Sequence, residues 1–264
     1  MVYTCFQMVR DCRADLPQGW RYFAAEYVPV IRRILAHYSP GDPDPEQQLE
    51  RVLLALRRPE SSIFQSIDPS PERWFVAEMR QVILAALPAP APAIALDLET
   101  VTAALAPLTM TEKQAAWFET LRYDAPTTAE LMRISPGTVE KIRLRAADLL
   151  RGKQDMWNRA LMADNGLSLG REAAAARGKD CLPVKALLDI LDGRTTWRER
   201  EIMEQHVSIC WHCVDHHARM QEVIGFMRVC RQLPEAEAVR YYKVLGVAPE
   251  RRPAWKRLLG PSVR

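Results

Sequence analysis

Between residues 16 and 38 the apolar side chains fall at Trp20, Phe23, Ala24, Tyr27, Ile31, Ile34, Leu35 and Tyr38. That three-and-four spacing predicts an amphipathic helix with one face on a core, and Pro29 inside it is expected to bend it. After the turn-rich "SPGDPDP" comes a second stripe, Leu49, Val52, Leu53 and Leu56. A third helix is predicted from near Pro71, carrying Trp74, Phe75, Met79, Val82 and Ile83. Three helices joined by short loops predict a bundle over residues 1–87. Neither strand-like alternation nor a fixed-period repeat occurs, so the whole chain reads as all-α.

The pattern stops in "PAPAPA" at 88–93, where alternating proline favours an extended spacer; we take 88–107 as a linker. The same prolines interrupt the longest uncharged apolar run, "QVILAALPAPAPAIAL", so it does not predict a membrane span. A second break falls in 154–179, where glycines appear and large apolar residues thin out.

Between these breaks, residues 108–153 carry three helix starts. Thr111 followed by Gln114 predicts a capping box, with Ala115, Phe118 and Leu121 inward. Thr127 followed by Glu130 predicts the start of a short second helix holding Ala129 and Met132. Ser135 is a side-chain cap and Pro136 suits the first turn of a third helix, with Val139, Ile142, Ala146 and Leu149 on its buried face. Two helices separated by a few residues form a helix-turn-helix layout. On the opposite face of the third helix stand Thr138, Lys141 and Arg145, with Arg143 between them, the positions that meet phosphates or base edges when such a helix enters a major groove.

Composition adds little to this until its distribution is considered. The formal net charge is +3, with 48% hydrophobic and 26% charged residues, so a core can form and any nucleic-acid surface has to be local. Two basic stretches qualify, 137–153 and 228–264, although a charge run is ordinarily a solvated face. The tail at 233–264 holds Tyr241, Tyr242 and Trp255 among its cations, and is expected to dock by its aromatics. Six cysteines are far too few for a disulfide scaffold and no leading apolar segment ends in a cleavage site, which predicts a reducing, cytoplasmic setting.

The chemistry is concentrated in "HVSICWHCVDHH" at 206–217, which holds six of the eleven His and Cys residues. Thr196 and Glu199 form a capping box that opens a helix on which His206 and Cys210 share a face. Cys213 follows within reach, leaving a tetrahedral cation one ligand short. Cys181, His216 and His217 are the candidates. Cys181 is preferred, because a distant ligand staples the start of a helical hairpin to its end and closes the site. The expected set is Cys181, His206, Cys210 and Cys213 around a structural Zn²⁺ whose thiolates are open to oxidation. No His-Glu-x-x-His and no deaminase signature is present, so no enzyme is predicted. Cys5, Cys12 and Cys230 read as ordinary thiols.

Two resemblances follow from these motifs. "TAELMRISPGTVEKIRLRAADLLR" resembles the promoter-reading region 4 of extracytoplasmic-function sigma factors, in step at Glu130, Leu131, Ile134, Ser135, Gly137, Thr138, Val139, Lys141, Arg145 and Leu150-Arg151. "ERWFVAEMRQVI" is similar, more loosely, to their region 2 through Trp74, Phe75 and Arg80, whereas "DPEQQLERVLLAL" departs from their acidic, aromatic polymerase-binding helix. Residues 180–232 resemble the zinc-binding anti-sigma domain through Cys-x24-His-x3-Cys-x2-Cys and "LLDILDGRTTWREREIMEQHVSICWHC". The resemblance implies a sigma factor fused to its own inhibitor, with promoter DNA and core RNA polymerase as partners and an intramolecular contact blocking both. The alternative is an interaction module that sequesters another sigma factor or regulator without opening promoters.

Overall fold

The computed structural model describes residues 3–58, 61–65, 71–87, 103, 106–149 and 167–247. Within them the chain is helical throughout and contains no strand. The Ala-Pro run, the stretch 150–166 and the tail beyond residue 247, Trp255 included, lie outside the described residues.

Helices α1 (Cys5–Arg13), α2 (Pro17–Tyr38), α3 (Pro45–Arg57), α4 (Ser62–Gln65) and α5 (Glu72–Ala86) form the first unit. Helix α1 was not legible from periodicity; it is opened by a capping box between Thr4 and Gln7. It crosses α2 at Gly19, where an added Cβ would lie 2.6 Å from the Cys12 amide nitrogen. All the predicted inward residues of α2 and α3 are buried, and α2 runs unbroken through Pro29. Phe75, Met79 and Ile83 are buried, while Trp74 and Val82 are half-buried against the same core.

Helices α6 (Met110–Thr120), α7 (Ala125–Met132) and α8 (Pro136–Leu149) form the helix-turn-helix unit. Two of its starts differ from expectation. The capping box of α6 is Thr109 with Glu112, not Thr111 with Gln114, because Thr109 has the extended backbone that a cap requires. Helix α7 begins three residues earlier than Thr127 suggests: Asp124 accepts from the Thr127 amide and outcompetes the threonine as cap. Ser135 does cap α8, accepting from the Thr138 amide at 3.1 Å.

Helices α9 (Leu167–Ala175), α10 (Val184–Leu191), α11 (Trp197–Ile209), α12 (Trp211–Val229) and α13 (Glu235–Val244) complete the chain. Within the stretch expected as a linker, α9 buries Ala173 completely, and its Arg171 donates to the Leu84 and Leu87 carbonyls. Helix α13 lies on α2 and α3, with Tyr241 and Tyr242 buried and Arg240 exposed.

Helix α12 organises the fold. Every residue from Trp211 to Met220 is buried, because α12 runs between α5 of the first unit and α6 and α7 of the second, with α9, α10 and α11 around it. The buried apolar side chains of all three units consequently belong to one contiguous cluster, from Cys5 to Val247; a small satellite of Ala125, Ala129 and Val139 sits under α7 and α8.

Candidate metal centre and the buried polar interface

The chain breaks its helix at Cys210, whose extended backbone (φ −109°, ψ 104°) separates α11 from α12. His206 therefore comes from the last turn of α11, Cys210 from the corner and Cys213 from the first turn of α12. Cys181 arrives from the turn before α10, where its amide donates to the Gly178 carbonyl and its Sγ accepts from the Gly178 amide at 3.2 Å. The four ligand atoms all lie within 4.8 Å of one another and could hold a metal ion. Cys181 Sγ is 3.7 Å from Cys210 Sγ, and Cys213 Sγ is 3.3 Å from His206 Nε2. All six cysteines are free thiols. Burial pushes the Cys213 thiol up to about 12 and raises Cys210, against the Leu182 amide that favours the first thiolate and the Cys213 amide that favours the second. A cation entering this site must displace those protons.

His216 and His217, the alternative fourth ligands, lie elsewhere. His217 is buried against α6, its Nδ1 hydrogen-bonded to the Gln114 side chain. His216 is buried 3.9 Å from Glu78 on α5. His212 packs edge-on to His216 and bonds the Ala173 carbonyl at 3.1 Å. Burial, first, pulls the pKa of His216 down to about 3 and that of His217 to about 4, so both imidazoles are neutral.

Beside these imidazoles lies a charge network that no pattern in the sequence marks. Glu222 of α12 pairs with Arg80 of α5 in full burial, and also accepts from Tyr38 of α2 at 2.6 Å and from Tyr123 of the helix-turn-helix unit. One turn or two earlier, Asp215 accepts from Arg219 at 2.5 Å and from the Trp117 indole at 3.1 Å, and Arg219 reaches Glu78 at 3.5 Å. Burial works against the Asp215 charge, but Arg219 and Arg80 outweigh it and hold the carboxyl below its usual range. One carboxylate of α12 thus joins side chains from both other units.

Three of the four expected DNA-reading side chains are exposed. Thr138 and Lys141 are exposed, although the Thr138 hydroxyl lies 2.8 Å from Ser135 Oγ. Arg143 is turned inward, donating to the Tyr123 carbonyl at 3.3 Å with Glu140 at 3.6 Å, whereas Arg145 is exposed and pairs with Glu112 at 3.0 Å.

Among the described residues no helix is long and apolar enough to cross a membrane. No protein-family model, curated protein or solved structure matches the chain.

Proposed function

We propose that this protein is a cytoplasmic, DNA-binding regulator of transcription initiation of the sigma-factor type, held closed by its own zinc-stapled carboxyl-terminal unit. The observation that carries the reading is the position of α12. It leaves the Cys210–Cys213 corner and lies between the helix-turn-helix unit and α5, where an inhibitory segment would separate the two halves that contact promoter and polymerase.

Zinc is the cation the donor set fits. Three thiolates and one imidazole are a common structural zinc set, and Zn–S near 2.3 Å with Zn–N near 2.0–2.1 Å in a tetrahedron puts sulphurs about 3.8 Å apart and sulphur from nitrogen about 3.6 Å. The 3.7 and 3.3 Å separations here match that shape. Four protein ligands leave no open coordination position, so the metal has a structural role and the protein is not a metalloenzyme. When bound, the cation fixes the corner from which α12 starts; loss of it by oxidation of the thiolates is the expected activating event.

The test uses the full chain, zinc-loaded and after oxidation or chelation, with core RNA polymerase and a selected pool of duplex DNA in footprinting. The metal-free form is expected to bind polymerase and protect a promoter-like site that the loaded form leaves open. Failure of both forms to bind DNA or polymerase contradicts the reading. Capture of a separate sigma factor by the loaded chain, without polymerase, would favour the interaction-module reading instead.

A further inference from the structure

A cavity of ≈ 250 Å³ lies between the helix-turn-helix unit and the metal-held unit. Leu131 and Ile134 wall it on one side, Ile190 and Ile224 on the other. Gly225 lets α12 approach α7 there, since a Cβ at that position would lie 2.6 Å from Leu131 Cδ2.

Two side chains one turn apart on α12 line this space and carry buried atoms with unmet hydrogen-bonding capacity. His217 is 3% exposed, and its buried Nε2 has no partner among the described residues. Gln221 Oε1 is likewise buried and unpartnered. An unsatisfied buried polar atom costs about 1–3 kcal/mol, so two on one cavity call for an occupant. With the Gln114 amide donating to Nδ1, Nε2 carries the hydrogen of the neutral ring. The floor then offers one donor and one acceptor, the complement of a hydroxyl, which accepts and donates at once.

The mouth is cationic. Four arginines line the cavity against Glu130 and Glu204. Arg73 is held by Asp192 at 2.7 and 2.8 Å and Arg200 by Glu204 at 2.7 Å. Arg133 and Arg228 are exposed, and no side-chain hydrogen bond or ion pair holds either guanidinium among the described residues, although Arg133 lies near enough to Asp192 to help hold that carboxyl low. Two guanidinium forks with no carboxylate bound to them match the charge and oxygen geometry of a phosphate dianion. The volume lies just below the ~300 Å³ lower end for drug-sized ligands and suits a compact molecule.

The geometry points to a binding site for a small hydroxyl-bearing phosphate monoester, held by Arg133 and Arg228 at the mouth and by His217 and Gln221 at the floor. Neither wall forms the site alone, so the ligand ties α7 to α12 and stabilises their contact by mass action. The assignment stands apart from the sigma-factor reading.

Calorimetric titration of the full zinc-loaded chain with glycerol 3-phosphate, and separately with inorganic phosphate and with glycerol, tests it. Glycerol 3-phosphate is expected to saturate one site per chain, phosphate to bind roughly tenfold or more weakly, and glycerol not to bind. Arg133→Gln and Arg228→Gln, at exposed positions where folding is checked by unchanged helical dichroism, should each weaken both phosphates roughly tenfold or more. Gln221→Leu should abolish the preference over inorganic phosphate while leaving phosphate binding intact. Absence of saturable glycerol 3-phosphate binding at millimolar concentration, equal affinity for it and for phosphate, or arginine variants that bind like the parent would overturn the proposal.

Discussion

Glu222 accepts hydrogen bonds from three residues, Arg80, Tyr38 and Tyr123, that lie in two other units of the chain. Its truncation to Ala leaves the Arg80 guanidinium buried without its counter-ion, and breaking a buried pair from one side costs about 3–5 kcal/mol. Urea unfolding of Glu222→Ala is expected to show a loss of that size. The double variant Arg80→Met/Glu222→Leu should lose clearly less than the two single losses added together, because no charge is then stranded; additive losses would mean that the pair is not coupled. At the metal corner, Cys181→Ser should lower metal affinity by more than about a hundredfold, whereas His217→Ala should keep one bound ion per chain by elemental analysis. Loss of metal in His217→Ala would return the fourth-ligand role to that histidine. The clustering of Cys181, His206, Cys210 and Cys213 was legible because metal binding needs particular residue types at particular spacings. The Arg80–Glu222 pair was not, since nothing in the sequence marks which of many charged residues will meet across 142 positions.

At the scale of elements, legibility followed amphipathicity. Helices α2, α3, α5 and α8 bury one face and leave the other in water, and their stripes stand out in the text. Helix α12 is covered on all sides over its first ten residues, so polar residues such as His212, Asp215 and Arg219 are interior and no stripe exists to be read. The starts of α6 and α7 were misplaced because several Thr and Asp residues within reach satisfy the same cap pattern, and backbone conformation decides among them. The close crossing of α1 and α2 yields a prediction here. Gly19→Ala puts a methyl against the backbone of Asp11 and Cys12, which cannot yield as a side-chain end would, and should cost about 1–3 kcal/mol in chemical denaturation. A neutral outcome would mean that the two helices do not approach so closely in solution.

At the scale of the whole molecule, three units separated in the sequence by expected linkers share one core, because α12 supplies each with a buried face. That arrangement encloses His216 and His217 as neutral imidazoles, with pKa values drawn down to about 3 and about 4 by burial. In the unfolded chain both titrate near ~6.5, so below that pH the unfolded state binds more protons than the native state. Their contribution to stability is complete above about pH 6.5 and is lost as the pH falls toward about 4, with a slope of about 1.4 kcal/mol per pH unit for each ring. His217→Gln should reduce the slope of stability against pH between about pH 6 and 5 by one such increment; an unchanged slope would show that the ring is not buried neutral.

A cation held by Cys181, His206, Cys210 and Cys213 would fix the corner between α11 and α12. X-ray absorption at the zinc edge of the purified full-length chain measures it directly. The expected spectrum reports one zinc per chain with three sulphurs at about 2.3 Å and one nitrogen at about 2.0–2.1 Å. A protein without stoichiometric zinc, or a shell dominated by nitrogen and oxygen, would contradict the account.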